Sequence, residues 1–321
     1  MIYPLQQQIP CSDEESFRRI FAAAGLHKSH LVFPVFVSDS PATLQSMPGI
    51  AVTPVQKVVQ YVQSIADSNI SSMIVFGIPR SRDSIGSSAF DKKGIIQEAV
   101  RQIKSAFGDA MSVTTDVCIC QYNVSGHCGI VTHDGKVNND ATLKVLAKIA
   151  ASHVEAGADV VAPSAMMDGQ VYAIKSELHS RALEASILSF SAKHASSLYT
   201  PFRSIAFKKP TTRLDKSSYQ LSYANSRAAL LEIETDIKEG ADMVMIKPAL
   251  MYLDLVRMVK DRFNYPLAAQ NVSGEYAMIK AAAMHKWIDE EEWKVHSIAS
   301  IKRAGADRII SYFALDVMKY L

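Results

Sequence analysis

The sequence lacks most features that would mark a specialised environment. It has no stretch approaching the ~20 apolar residues needed to cross a bilayer. Its longest apolar stretches, such as Leu31 to Val37 (LVFPVFV), are far shorter. The N-terminus, MIYPLQQQIPCSDEESFRR, has no apolar signal-peptide region and turns acidic early, so a cytoplasmic protein is expected. No charge of one sign dominates. Lys and Arg number 34 against 32 Asp and Glu, for a net charge of +2, and no basic run stands out. That excludes an electrostatic case for nucleic acid or an anionic membrane as partner. There is no low-complexity linker. Cysteine is scarce: Cys11, Cys118, Cys120 and Cys128 are the four. Three of them fall within one short segment, and in a reducing compartment that crowding suggests metal more than disulfide.

What is present is enough for a full core. The chain has 321 residues, 48% of them hydrophobic, a length that suits one α/β barrel. Short apolar runs alternate with amphipathic stretches. The expected strands are Leu31–Val37, Met73–Gly77, Ser112–Cys120, Asp159–Ser164, Ile187–Lys193, Met243–Lys247, Leu267–Ser273 and Arg308–Phe313, runs of the kind a strand buried on both faces requires. Thr142–Ala156 and Arg227–Glu239 have helical spacing. AGAD (156–159), EGAD (239–242) and AGAD (304–307) each close a helix before a strand, with Gly suited to the left-handed position there. Eight such units predict a (β/α)8 TIM barrel. An open doubly wound sheet is the alternative, but no GxGxxG follows the first strand. Residues 1–25 have little apolar periodicity and read as a short N-terminal arm, the kind that packs on a neighbouring subunit. Residues 26–321 then form the barrel.

Active sites of barrels lie at the C-terminal ends of the strands. Alternation along TTDVCIC would aim Asp116, Cys118 and Cys120 the same way. The fourth strand ends at Ser164, the fifth at Lys193, the sixth at Lys247 and the seventh at Ser273, and the eighth carries Tyr312. A buried ammonium is costly unless it deprotonates or is paired, and a second cation nearby lowers its pKa further. A neutral amine attacks ketones and aldehydes to give a Schiff base. Two lysines on adjacent strands, ~5 Å apart, could serve one pocket. The spacing C-x-C-x7-C supplies three thiolates, the pattern of a metal site with an open position. His127 is a candidate fourth ligand, but is expected rather to line the pocket or contact a partner chain. Cys11 is an ordinary thiol. The polar segment 197–220, without helical periodicity, holds Arg203, Lys209, Arg213 and Lys216 and reads as a lid whose cations meet a substrate carboxylate.

These residues together resemble the porphobilinogen synthase (5-aminolevulinate dehydratase) family in its zinc-binding cysteine variant. SMPGI (46–50), TDVCICQY (115–122), GHCGI (126–130), VAPSAMMDG (161–169), SAKHAS (191–196), GADMVMIKPAL (240–250), VSGEYAMIKAAA (272–283) and IKRAGADRIISYF (301–313) look like that family's blocks, in order. The resemblance implies condensation of two 5-aminolevulinate molecules to porphobilinogen. By matching position, Lys247 forms the Schiff base with the first substrate and Lys193 with the second. Ser273 and Tyr312 hold the first carboxylate. Arg203, Lys216 and Gln220 hold the second. Asp116 and Ser164 sit by the reacting carbons, and Tyr199 and Phe202 help close the site. Cys118, Cys120 and Cys128 bind zinc, and the assembly is a homo-octamer. The departures are Ala165 for Asp, Gln170 for Arg, Lys216 for Arg, Gln270 for Tyr and a shortened arm. Ala228 replaces a glutamate, so no allosteric magnesium site is expected. A degenerate member that binds ligand or supports assembly without catalysis is the alternative reading. A Schiff-base aldolase would need only one of the lysines and none of the cysteines.

Overall fold

The computed structural model describes residues 13–43, 45–206 and 215–321. Eight parallel strands form the barrel: β1 (Leu31–Ser38), β2 (Ser72–Ile78), β3 (Ser112–Val117), β4 (Val160–Pro163), β5 (Ser186–Lys193), β6 (Met243–Lys247), β7 (Leu267–Asn271) and β8 (Arg308–Ser311). Each pairs with its successor, and the pairing Leu31↔Ile309 with Val32↔Ile310 closes the ring. Every residue of β1 and of β7 is buried. That is why these runs are continuously apolar rather than alternating: helices cover one face and the barrel interior the other. A short strand, Ala51–Pro54, adds in parallel to the end of β1 and pairs with Ala42–Thr43.

Between the strands lie α2 (Val58–Asp67), α3 (Ile95–Phe107), α4 (Asn139–Glu155), α5 (Gln170–Ser180), α6 (Thr200–Ala206) and α7 (Ser226–Glu239), then α8 (Leu253–Phe263), α9 (Ser273–Met284) and α10 (Glu290–Ala304). Ahead of them is α1 (Glu14–Ala23), and α11 (Ala314–Val317) follows β8. The three GAD echoes behave as the sequence predicts. Gly157, Gly240 and Gly305 have φ of 106°, 102° and 122°, values an L side chain rarely adopts.

Six strand ends differ from expectation. β1 and β2 each run one residue longer, to Ser38 and Ile78, and β4 stops at Pro163, one residue before Ser164. The third strand stops at Val117, so Cys118 and Cys120 stand in the turn after it and alternation does not orient them. The seventh stops at Asn271, and Ser273 opens α9 instead. The eighth stops at Ser311, one residue before Tyr312. The segment expected to be an irregular lid begins with a helical turn and α6. Lys209 and Arg213 lie outside the described residues, as does Cys11.

Of the expected arm, the described part is a docked helix. The Asp13 side chain accepts from the Ser16 backbone N–H at 2.8 Å and caps α1. Phe17 and Phe21, one turn apart, are buried. Phe17 meets Tyr320 edge-on, with ring centroids 5.2 Å apart. Tyr320 in turn donates to Glu291 of α10 at 2.7 Å. The hub is Lys294, whose Nζ lies 2.8 Å from Glu290, 2.8 Å from Glu291 and 3.0 Å from Asp316.

Replacing Lys294 by Met leaves three carboxylates without their shared cation. Their partial exposure discounts the cost to about 2 kcal/mol, or about 4 °C in Tm. Burial alone would raise Glu291, but hydrogen bonds from Lys294, Tyr320 and Lys319 hold it down at about 2. The ordinary value is ~4.3, so this stabilisation is complete above that pH and is lost as pH falls through about 2. The Tm difference between wild type and Lys294→Met is expected to close over the same window in an acid titration of thermal melts.

Candidate active site

Residues at or beside the C-terminal ends of β2 to β8 line one pocket of about 550 Å³, its mouth included. Lys193 of β5 and Lys247 of β6 are direct cross-strand partners. Both are buried. A bulge turns Lys193 inward: Ser189 pairs with Val244 but Ala192 pairs with Ile246, so β5 carries one residue more than β6 over that span. Ser189 faces outward and donates to Asp236 of α7 at 2.7 Å. Phe190 and Lys193, an odd number of residues apart, both line the pocket.

The Lys193 ammonium donates to the carbonyl oxygen of Ser164. Lys247 is lowered to about 7, first by burial and then by the charge of Lys193. Its Nζ stands 4.7 Å from the Phe190 ring centroid and 5.3 Å from that of Tyr199. The Tyr199 hydroxyl donates to the backbone carbonyls of His194 and Lys247, at 2.9 and 3.2 Å. Behind Lys247, the buried Glu275 carboxylate accepts from the Leu250 N–H at 2.6 Å and from the Val272 N–H. It thereby ties the exit of β6 to the exit of β7. Burial raises Glu275 to about 7.

Asp116 accepts from the Gln121 side-chain amide at 2.9 Å. Its other oxygen is buried without a partner among the described residues. The Ser273 hydroxyl donates to the Leu198 carbonyl and accepts from the Phe202 N–H, each at 3.2 Å. Phe202 packs on Phe36 and Phe76 with centroids 5.8 and 5.5 Å apart, and Tyr312 stacks on Phe36 at 6.0 Å. The lid helix is therefore seated on an aromatic floor. Arg203 lies over the Tyr199 ring at 5.5 Å. Where the chain is again described, Lys216 and Gln220 are buried and line the pocket. The Leu221 N–H donates to the Lys193 carbonyl at 3.1 Å, which pins the segment after Gln220 beside that lysine.

The sulfurs of Cys118, Cys120 and Cys128 are buried and lie within 4.8 Å of one another. Small side-chain movements would bring all three onto one ion with bonds of about 2.3 Å, so the donor set fits a thiophilic divalent metal. Hydrogen bonds from Cys118 and Cys120, and the charge of Lys216, pull the Cys128 thiol well below its usual range. The Lys216 Nζ donates to the Cys128 sulfur at 3.2 Å, so this lid cation is engaged with the cysteine cluster. His127 is not part of the sulfur cluster; its Nδ1 lies 3.2 Å from the Tyr219 hydroxyl.

A family model described as delta-aminolevulinic acid dehydratase matches residues 8–320. The chain belongs to the delta-aminolevulinic acid dehydratase family. The dehydratase of Archaeoglobus fulgidus is 47% identical over 314 residues, covering 95% of each chain. That of Methanothermus sociabilis is 45% identical and covers 99% of each. A crystal structure of the Toxoplasma gondii delta-aminolevulinic acid dehydratase, in complex with the reaction product porphobilinogen, superposes with a TM-score of 0.90 at 34% identity, over 99% of this chain and 92% of that one.

Within this dehydratase-family barrel, Lys193, Lys247, Asp116, Ser164, Arg203, Lys216, Gln220, Ser273, Tyr312, Tyr199, Phe202 and Cys120 all line the one pocket. Cys118 and Cys128 adjoin it through Cys120. Sequence reasoning missed Phe76, Gln121, Phe190 and Val272, which also line it. Phe76 and Gln121 carry a signal, since one sits near a strand end and the other follows Cys120. Phe190 carries none, because counting back by twos from Lys193 reaches Ser191 and Ser189.

A Cβ at Gly274 would stand 2.5 Å from the Cα and the carbonyl oxygen of Leu198. Neither atom can yield without moving the lid's first turn. Gly274→Ala is therefore expected to make residues 198–206 cleave about tenfold faster in limited proteolysis, for a displacement cost of about 1.4 kcal/mol. The cooperative melting of the barrel should persist.

Proposed function

We propose that this chain is a porphobilinogen synthase, condensing two molecules of 5-aminolevulinate to porphobilinogen with loss of two waters, in tetrapyrrole (heme) synthesis. The observation that carries the reading is the pair Lys193 and Lys247, in register at the strand ends of one buried pocket. Two amines facing one cavity suit a reaction in which two ketones are held at once.

In this reading Lys247 forms the Schiff base with the first substrate. With its pKa near 7, a large share of it is neutral and nucleophilic at physiological pH. Lys193 forms the Schiff base with the second. Ser273 and Tyr312 receive the first carboxylate, so that substrate would compete with Leu198 and Phe202 for the Ser273 hydroxyl. Arg203, Lys216 and Gln220 receive the second carboxylate. Lysine at position 216 offers a point charge instead of a planar fork, which makes that subsite weaker than an arginine would. Asp116 and Ser164 flank the reacting carbons and handle their protons. Tyr199 and Phe202 exclude water.

Zinc is the metal proposed for Cys118, Cys120 and Cys128. Bound there it would supply a Lewis acid weakened by its thiolates, suited to orienting the second substrate's amine. By family resemblance, we place residues 1–25 as an arm on the 26–321 barrel, the lid around 197–220, and the assembly as a cytoplasmic homo-octamer. Among the described residues no helix is long and apolar enough to cross a membrane.

The decisive assay is porphobilinogen formation from 5-aminolevulinate, with and without a zinc chelator. Activity is expected to fall on chelation and to return with zinc. Activity indifferent to chelation would remove the metal from the reading, and no pyrrole under any metal would remove the reaction. Lys247→Ala should abolish both product and the adduct trapped by borohydride. Because the attacking amine must be neutral, kcat/KM should fall about tenfold per pH unit below about 7. An acid limb near the ordinary lysine value of ~10.4 would contradict the assignment.

A further inference from the structure

Phe190 has no role in the reading above, yet its ring is the surface the two lysines share. The Lys247 Nζ lies 4.7 Å from its centroid and the Lys193 Nζ 6.0 Å. The ring is fully buried and borders the pocket. The β5 bulge lets it share the inward side with Lys193, while Ser189 holds the outward side to Asp236. The arrangement therefore places one aromatic face beside both reacting nitrogens.

We infer that Phe190 is a cation-stabilising residue of the reaction, whose ring face supports the positive iminium formed on Lys247. This rests on the synthase reading. In that step the neutral Lys247 amine attacks the ketone carbon and a C–N bond forms. The former carbonyl oxygen takes one proton from the nitrogen and one from an acid, and leaves as water. The nitrogen keeps one proton and the positive charge, so amine, ketone and a proton give iminium and water. The burial that keeps the free amine neutral also penalises this cation. An aromatic face offsets that penalty without supplying a base that would trap the amine as a paired ammonium. The iminium spreads its charge onto carbon and is the more weakly hydrated cation, so the ring favours it over the ammonium. Neither an aliphatic nor an acidic residue at position 190 would do both: an aliphatic side chain fills the space without the charge distribution, and a carboxylate would hold Lys247 protonated.

The test uses the full-length, zinc-loaded protein with phenylalanine analogues bearing one, two or three ring fluorines at position 190. These nearly keep the ring's shape and withdraw the negative charge of its face stepwise, so folding is not at issue. The readouts are the Lys247 adduct trapped by borohydride from 5-aminolevulinate, located by peptide mass, and kcat and KM. The trapped adduct and kcat are expected to fall with each fluorine, to ~10-fold below wild type with three, while KM changes little. Phe190→Tyr and Phe190→Trp should stay within ~3-fold of wild type, and Phe190→Leu should fall as far as the trifluorinated ring. A flat fluorine series on a protein that traps normally would overturn the inference. So would a response confined to the Lys193 adduct. Wild-type protein that traps nothing on Lys247 would overturn the synthase reading, and this inference with it.

Discussion

Two amines that share one buried pocket cannot both stay charged cheaply, and the architecture of the barrel mouth follows from that constraint. Register alone brings Lys193 and Lys247 to the same level of adjacent strands. It does not aim them. The additional residue in β5 rotates the end of that strand so that Lys193 faces the cavity, and the Ser189 bond to Asp236 fixes the other side of the same strand. Burial and mutual repulsion then bring Lys247 to about 7. The carbonyl of Ser164 gives Lys193 a partner that carries no full charge. Close to the two amines stand the Ser164 carbonyl and the Phe190 and Tyr199 rings, which tolerate a positive charge without binding it as a full counter-ion would.

The eight strands were legible because a parallel barrel buries both faces of each strand, and continuous runs such as LVFPVFV reveal it. Met243–Lys247 was read to the residue. Lys193 was likewise read as the end of its strand, but the third, fourth, seventh and eighth runs were read too long, since apolar composition continues past the point where the ladder stops. Cys118 and Cys120 follow β3 as if they belonged to it, yet the chain turns there and gathers their sulfurs with Cys128. The lysines and cysteines announced themselves by type. Phe190 did not, because a bulge is invisible to any count by twos. The helix at 14–23 was not legible because Phe17, Ile20 and Phe21 are the few apolar residues on its buried face, and Tyr320, the ring partner of both phenylalanines, comes from the opposite end of the chain.

The pocket joins the barrel to the segment that follows β5. The barrel contributes the lysines, Asp116 and the ring floor of Phe36 and Phe76. The lid contributes Tyr199, Phe202 and Arg203. Between them is a contact so close that only glycine fits: Gly274 lies against the Leu198 backbone. The same junction carries the Ser273 hydroxyl, bonded to both ends of the lid's first turns. A group that displaces those bonds would act where the segment after β5 is held to the barrel.

Lys216 reaches the pocket from the lid side, yet its amine bonds to Cys128. The lid and the sulfur cluster are therefore thermodynamically linked. In the proposed reading, an ion held by Cys118, Cys120 and Cys128 and a carboxylate held by Lys216 act on this same contact, so each would change the affinity for the other by the same factor. Metal content and substrate affinity would then be two readings of one coupling free energy, and neither could be measured without stating the other.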